Sequence, residues 1–172
     1  MIGKQTLGVS DKDSWKMFRG SAMRTGISAS RISRKPSLLW VTEVGPTVSS
    51  PIFADDTIYV STITGRIFAL NLSEKKIKWH LYVGSPIVSS PLIYNGILVA
   101  ATYDSWIKDT SLTGKNFLLG MDSNYGTQIW NYEIDDCRIS GRFALYLWFR
   151  KPSILHTMTQ IYGCTNFRKF ET

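Results

Sequence analysis

Two Ser-x-x-Lys pairs, "SEKK" (Ser73–Lys76) and "SWIK" (Ser105–Lys108), have the spacing at which a lysine can activate a serine nucleophile. Neither is accompanied by the partner motifs that such chemistry needs, and the first falls in a predicted hairpin. "SLTGKN" (Ser111–Asn116) holds a Gly-Lys but lacks the upstream glycine and the following Ser/Thr of a phosphate loop. It reads as the turn of an inserted segment. The adjacent carboxylates Asp55-Asp56 and Asp135-Asp136 could suggest an acid–base pair. In a strand, however, neighbours point to opposite faces, so both pairs read as turn residues. His80 and His156 are isolated, and two separate histidines do not make a ligand set. Cys137 and Cys164 lie 27 residues apart with no Cys-x-x-Cys, which defines neither a disulfide framework nor a metal site. "NLS" (Asn71–Ser73) is a formal glycosylation sequon that has meaning only in a eukaryotic secretory setting. No catalytic, cofactor-binding or metal-ligating residue is assigned from this set.

The elements that would have to position any site are written twice. "VSSPIFADDTIYV" starts at Val48 and "VSSPLIYNGILVA" at Val88. Downstream, "ALNLSEKKIKW" (Ala69–Trp79) matches "GMDSNYGTQIW" (Gly120–Trp130). Tryptophans 40, 79 and 130 mark the period, with intervals of 39 and 51 residues. The longer interval places an insertion between Thr102 and Asn116. Short runs rich in β-branched and aromatic residues, separated by Gly, Asn, Asp and Ser, are a strand-and-hairpin signature. No 12-residue window within 40–135 carries a convincing helical period. Strands are predicted over 51–54, 57–63, 66–72 and 76–83, and again over 91–94, 96–103, 116–122 and 127–134. Four strands in a unit of about 40 residues, closed by a tryptophan, is a β-propeller blade pattern.

The chain has 172 residues and a formal net charge of +7. That charge is unevenly placed. Residues 1–39 hold eight Lys/Arg against two Asp, residues 40–137 hold six basic against ten acidic, and residues 138–172 hold six basic against one acidic. The repeats are acidic and the ends basic, which argues against a nucleic-acid stripe on the folded unit. The longest late apolar run, "FALYLWF" (Phe143–Phe149), is seven residues, whereas a spanning helix needs about 20. No transmembrane segment is expected. The start, "MIGKQTLGVSDKD", has no apolar stretch of the secretory kind, and localisation is left open.

The second half of each repeat resembles the tryptophan-docking pattern A-x-D-x-x-T-G-K-x-x-W of pyrroloquinoline-quinone-type (PQQ-like) propeller repeats. The first copy keeps Ala69, Lys76 and Trp79, with Asn71 at the Asp place, Glu74 at the Thr place and Lys75 at the Gly place. The second keeps Asp122, Gly126 and Trp130, with Gly120 at the Ala place. "SWKMFRGSAMRTGIS" (Ser14–Ser28) resembles the lead-in of the same family, and "LLWVTEVGPTVSSP", which contains Trp40, resembles its approach to the first blade. Asn71 or Asp122 can accept from the backbone of the following turn, and glycine at its end supplies a positive φ without steric cost. Lys75 at that place predicts either strain or a different turn. Small residues at 69 and 120 are expected to let a neighbouring blade's tryptophan approach.

The resemblance implies an all-β chain, a partial β-propeller of about two four-stranded antiparallel blades. The lead-in spans 1–39 and is irregular. The repeats span 40–136 (40–79, then 80–130 plus a strand end). The tail, 137–172, is atypical: either an out-of-frame end on a truncated propeller or an evolved terminal element. Catalytic members of the family bind PQQ and calcium in an eight-bladed ring, use an Asp, and commonly stack a vicinal Cys pair on the cofactor. This chain has no adjacent Cys pair and too few blades to enclose a channel, so neither PQQ nor calcium is expected. Non-catalytic members, such as the outer-membrane assembly lipoprotein of the BamB type, bind proteins and are often periplasmic or exported to the cell envelope. The expected role is a non-catalytic protein-binding or scaffold module, with a fragment of a PQQ- and calcium-dependent dehydrogenase as the alternative. Its partner is a protein or the missing blades, with self-association through an uncovered blade face.

Overall fold

The structure, a computed structural model, describes residues 14–21, 25–28, 30, 34–103, 116–134 and 167–170. The first sheet contains β1 (Ile52–Ala54), β2 (Thr57–Ser61), β3 (Arg66–Asn71) and β4 (Lys76–Tyr82), hydrogen-bonded in that order. The second contains β5 (Leu92–Tyr94), β6 (Ile97–Ala101), β7 (Asn116–Asp122) and β8 (Gln128–Ile134), followed by β9 (Phe167–Phe170). All neighbouring strands are antiparallel. β9 is an addition that the repeat pattern did not predict: the tail returns and pairs with β8 from Asn131↔Phe170 to Ile134↔Phe167.

The turns explain why the strands fall where they do. Asp55 and Asp56 both have positive φ, 47° and 58°, as do Asn95 and Gly96, 48° and 76°. Two consecutive left-handed residues make the mirror-image two-residue hairpin turn, whose twist matches that of the strands it joins. Asp55-Asp56 is thus a turn, as expected. The insertion also falls where it was placed, because β6 ends at Ala101 and β7 begins at Asn116. Thr62 after β2 and Thr102 after β6 close the two equivalent connections alike: Arg66 N donates to Thr62 Oγ1 at 3.0 Å and Phe117 N to Thr102 Oγ1 at 2.8 Å.

The main core lies between the sheets. Ile52, Ala54, Tyr59, Ile67 and Ala69 of the first meet Ile93, Leu98, Ala100, Leu119 and Met121 of the second, with Ile87 from the connection. A second cluster, Val60, Phe68 and Leu70, lies on the opposite face of the first sheet. An uncovered blade face was expected, and this outer face of the first sheet is not bare. Trp40 and Val44 pack on it. Exposed large apolar side chains in the lead-in and the approach to β1 include Ile27, Leu38, Leu39, Val41 and Val48, and others lie on the blades, such as Tyr82 and Tyr125.

The doubled Ser-Ser-Pro line has a structural cause. Ser49 Oγ donates to Ser61 O at 3.0 Å, and Ser89 Oγ donates to Ala101 O at 3.1 Å, the same hook twelve residues on in each copy. The two copies also bond each other: Ser50 N donates to Ser90 Oγ at 3.0 Å and Ser61 Oγ to Ser89 O at 3.2 Å. Ser49, Ser61, Ser89 and Ser90 are all buried, so each hydroxyl needs such a partner. Pro51 and Pro91 stand just before β1 and β5, where a missing N–H costs no ladder bond.

The lead-in is partly built into the fold rather than being a solvated flank. Trp15 and Phe53 exchange backbone hydrogen bonds of 2.7 and 2.9 Å, and Ile93 N donates to Lys16 O at 2.9 Å. One short segment therefore ties β1 to β5.

Candidate functional site

The site is the dock between the two sheets, and its centre is Trp79. β4 carries Trp79 opposite Ala69 of β3, beside a register shift at Ala69/Leu70. The indole Nε1–H donates to Ser123 O at 3.0 Å, across the sheet boundary. Tyr59 Oη donates to the same carbonyl at 3.0 Å. The two rings sit 5.9 Å apart at 54°, a tilted arrangement that suits their quadrupoles.

The receiving turn is Asp122–Gly126. Asp122 Oδ1 accepts from Asn124 N at 2.8 Å and Tyr125 N at 2.9 Å, and Asp122 O accepts from Gly126 N at 2.8 Å. Gly126 has φ +74°, and a Cβ there would lie 2.6 Å from Cε3 of Trp79. Glycine is needed twice at this position, for its backbone and for the indole that lies on it. At the rim, Lys78 Nζ donates to Asn124 Oδ1 at 3.2 Å.

β8 repeats the donor half of the dock. Trp130 faces Gly120 beside an equivalent register shift, and a Cβ at Gly120 would overlap the Trp130 ring. This corrects one expectation. The small residue at 69 or 120 sits opposite its own blade's tryptophan, and it is Gly126 that lets the neighbour's tryptophan approach. Trp40, Trp79 and Trp130 are all partly buried. The Trp130 and Tyr132 rings lie 5.3 Å apart, tilted at 56°.

In the first copy, Asn71 Oδ1 accepts from Glu74 N at 2.6 Å, so the turn forms as in the second copy. Lys75 takes the glycine place with φ 56°. The strain outcome is the one realised, since the left-handed region costs a non-glycine residue about 1–2 kcal/mol. Lys75→Gly is therefore expected to raise stability by about 1 kcal/mol, read as an upward shift of the denaturant midpoint at unchanged slope.

The other sequence candidates are not brought together. Ser73 and Lys76 lie at the exposed β3–β4 turn, where Lys76 pairs with Glu74 at 3.1 Å. His80 is exposed and stacks on Phe68. The pairs Ser105–Lys108 and Asp135-Asp136, the turn Ser111–Lys115, and His156, Cys137 and Cys164 lie outside the described residues. Among the described residues no three His, Cys, Asp or Glu side chains converge.

Sequence reasoning missed Tyr59 and Ser123. Tyr59 has Val99 at its place in the second copy, so the repeat gave no signal. Ser123 acts through its backbone, which side-chain motifs do not report. Burial pushes the Tyr59 phenol above its ordinary value of 10.0. Side-chain hydrogen bonds from Thr57 and Ser123 oppose this, and the charges of Asp55 and Asp122 add to it. The folded state thus favours the neutral phenol, a contribution present below the unfolded value and lost as pH rises through the folded one. The melting temperature should fall above about pH 10, and fall less in Tyr59→Phe. At neutral pH that variant should lose about 1 kcal/mol, one hydrogen bond.

Two antiparallel sheets joined face to face, with a tryptophan of one seated on the turn of the next, define a pair of β-propeller blades. A family model described as outer membrane protein assembly factor BamB matches residues 11–143, and the chain belongs to this family of PQQ-like repeats. Among solved structures, the quinohemoprotein alcohol dehydrogenase from Comamonas testosteroni is 15% identical. That match covers 69% of this chain and 19% of the other, with a TM-score of 0.50. A europium-containing methanol dehydrogenase is 19% identical over 49% of this chain and 15% of its own, with a TM-score of 0.42. BamB from Moraxella catarrhalis is 18% identical over 54% of this chain and 38% of its own, with a TM-score of 0.31. At these identities the likeness is one of fold, and the chain spans less than two fifths of each of these structures. No curated protein matches it.

Proposed function

We propose that the chain is a non-catalytic PQQ-like repeat module that binds protein through its blades. The observation that carries this reading is the Trp79 dock. The motif residues, Asp122 and Gly126 with Trp79, are engaged in seating one blade on the next. Trp130, with Gly120 beneath it, repeats the donor half of that dock on β8. The natural neighbour of such a surface is a further blade or a protein that supplies one. The family's description as an outer membrane assembly factor fits a protein-binding role in the cell envelope. The described residues hold no helix long and apolar enough to cross a membrane.

The reading includes neither PQQ nor calcium. Calcium takes six to eight oxygen ligands, and the carboxylate of Asp122 accepts two turn amides. Titration calorimetry of the purified chain with PQQ and calcium is expected to show no binding, and stoichiometric binding would overturn the reading. With Leu38, Leu39 and Val41 exposed, and basic ends on an acidic middle, the isolated chain is expected to self-associate, less so in high salt. Light scattering at low micromolar concentration checks this. A sharp 19.5 kDa monomer at low salt is the contrary result.

A further inference from the structure

Of the two outer blade edges, β4 and β8, that of β8 carries an added strand, and among the described residues that of β4 does not. β9 pairs with β8 from Asn131↔Phe170 to Ile134↔Phe167 and leaves residues 128–130 of β8 unpaired on that side. The bare edge of β4 shows that a blade forms without such a strand. β9 reaches β8 through residues 135–166 and has no counterpart in the other repeat. It stands to β8 as a ligand does.

The receiving strand is specialised. Successive strand residues alternate between faces, so Asn131 and Glu133 share one face. On β7 they stand across from Leu119 and Phe117, which belong to the core between the sheets or pack against it. Glu133 is only 7% exposed, whereas Tyr82, which holds its place in the first blade, is 61% exposed. A carboxylate is seldom buried so far unless it is paired, and the register places Arg168 across from it. Asn131 is served differently. Its Oδ1 is enclosed and has no hydrogen-bond partner among the described residues. The residue across from it is Phe170, whose side chain has no donor to give. The tail's residue types thus suit Glu133 and leave unanswered a buried acceptor, which is costly to leave unpaired.

We infer that the outer edge of β8 is a strand-addition site for an extended segment of a partner polypeptide, one with a base across from Glu133 and a hydrogen-bond donor across from Asn131. Residues 167–170 hold this edge in cis as an incomplete match. In this mode main-chain pairing supplies affinity and alternate side chains supply specificity. The two selecting positions lie two apart on the incoming strand, so they fall on one of its faces. Glu133, Asp135 and Asp136 make this end of the sequence acidic, which favours a basic strand. The inference is separate from the Trp79 dock and holds whether or not the whole protein is catalytic.

Amide hydrogen exchange over residues 131–134 of the full chain tests this. Phe170→Thr puts a hydroxyl across from Asn131 and keeps a good strand former. It should slow exchange of the amides held by β9 by about fivefold, the effect of one added hydrogen bond. Arg168→Glu sets like charges across from each other and should speed it by about fivefold. Arg168→Pro together with Lys169→Pro disables the tail whichever of the two N–H groups faces β8, and should leave these amides at the rate of an open edge. A free peptide of residues 165–172 bearing Phe170→Thr, at millimolar concentration, should restore protection to that proline variant. The same peptide bearing Arg168→Glu as well should not. Exchange that is unchanged or faster with Phe170→Thr overturns the inference, and that arm alters the tail alone. So does a proline variant that neither peptide protects, or that both protect alike. Protection that returns with the variant's own concentration, without peptide, would make a second copy the occupant and overturn the partner.

Discussion

Trp79→Ala should cost about 3–5 kcal/mol, the range for truncating a large aromatic in a core, and unfold the blade pair at ordinary temperature. The substitution removes the ring that packs on Tyr59 and on Gly126, together with the indole donor to Ser123 O. Single domains are stable by only about 5–15 kcal/mol, so a loss of this size shows as a collapsed denaturation midpoint. Trp130→Ala is the internal control. It stands at the same register place, but among the described residues its ring reaches no following turn, so its loss should be clearly smaller. Equal losses at the two positions would mean that the contact between blades contributes little, and would remove the dock as the centre of the molecule.

Gly126→Val should be nearly as damaging, at about 3 kcal/mol, for two separable reasons. The left-handed backbone at φ +74° resists a β-branched residue. The new Cβ would also lie 2.6 Å from the Trp79 ring, an overpacking cost of about 1–3 kcal/mol. A double-mutant cycle with Trp79→Phe separates them, because a smaller ring relieves the clash and leaves the backbone strain. Strict additivity of the two changes would show that Gly126 matters for its backbone alone.

These expectations rest on features that differ in how far the sequence disclosed them. The strand pattern was legible almost to the residue. Predicted strands over 57–63 and 116–122 are observed at Thr57–Ser61 and Asn116–Asp122. Asn71 and Asp122 accept turn amides as their chemistry suggested. Such features are local: alternation, hairpin turns and side-chain capping depend on residues within a few positions of one another. The fifth strand was not legible, because β9 has no counterpart in the other repeat and its pairing with β8 spans more than thirty residues of chain.

The sequence by itself determined the period, the two-blade architecture, the turn residues and the family. Only the tertiary structure decided what each tryptophan touches. Ala69 and Gly120 look, in sequence, like room for a neighbour, and turn out to stand opposite their own blade's indole. Gly126 looks like a turn glycine and is also the floor beneath Trp79. Ser49-Ser50-Pro51 and Ser89-Ser90-Pro91 look like two copies of a kink and are bonded to each other across the interface. Lys75 left open a choice between two turns, and Asn71 and the shared hairpin hold it in the left-handed form. The physical reason is common to all four. A residue's own preferences fix its backbone within a turn or a strand, but its partner is set by the placement of one sheet against the other. That placement is the summed result of many small non-local contacts, such as Ile52, Ile67, Leu98 and Met121 closing a single core.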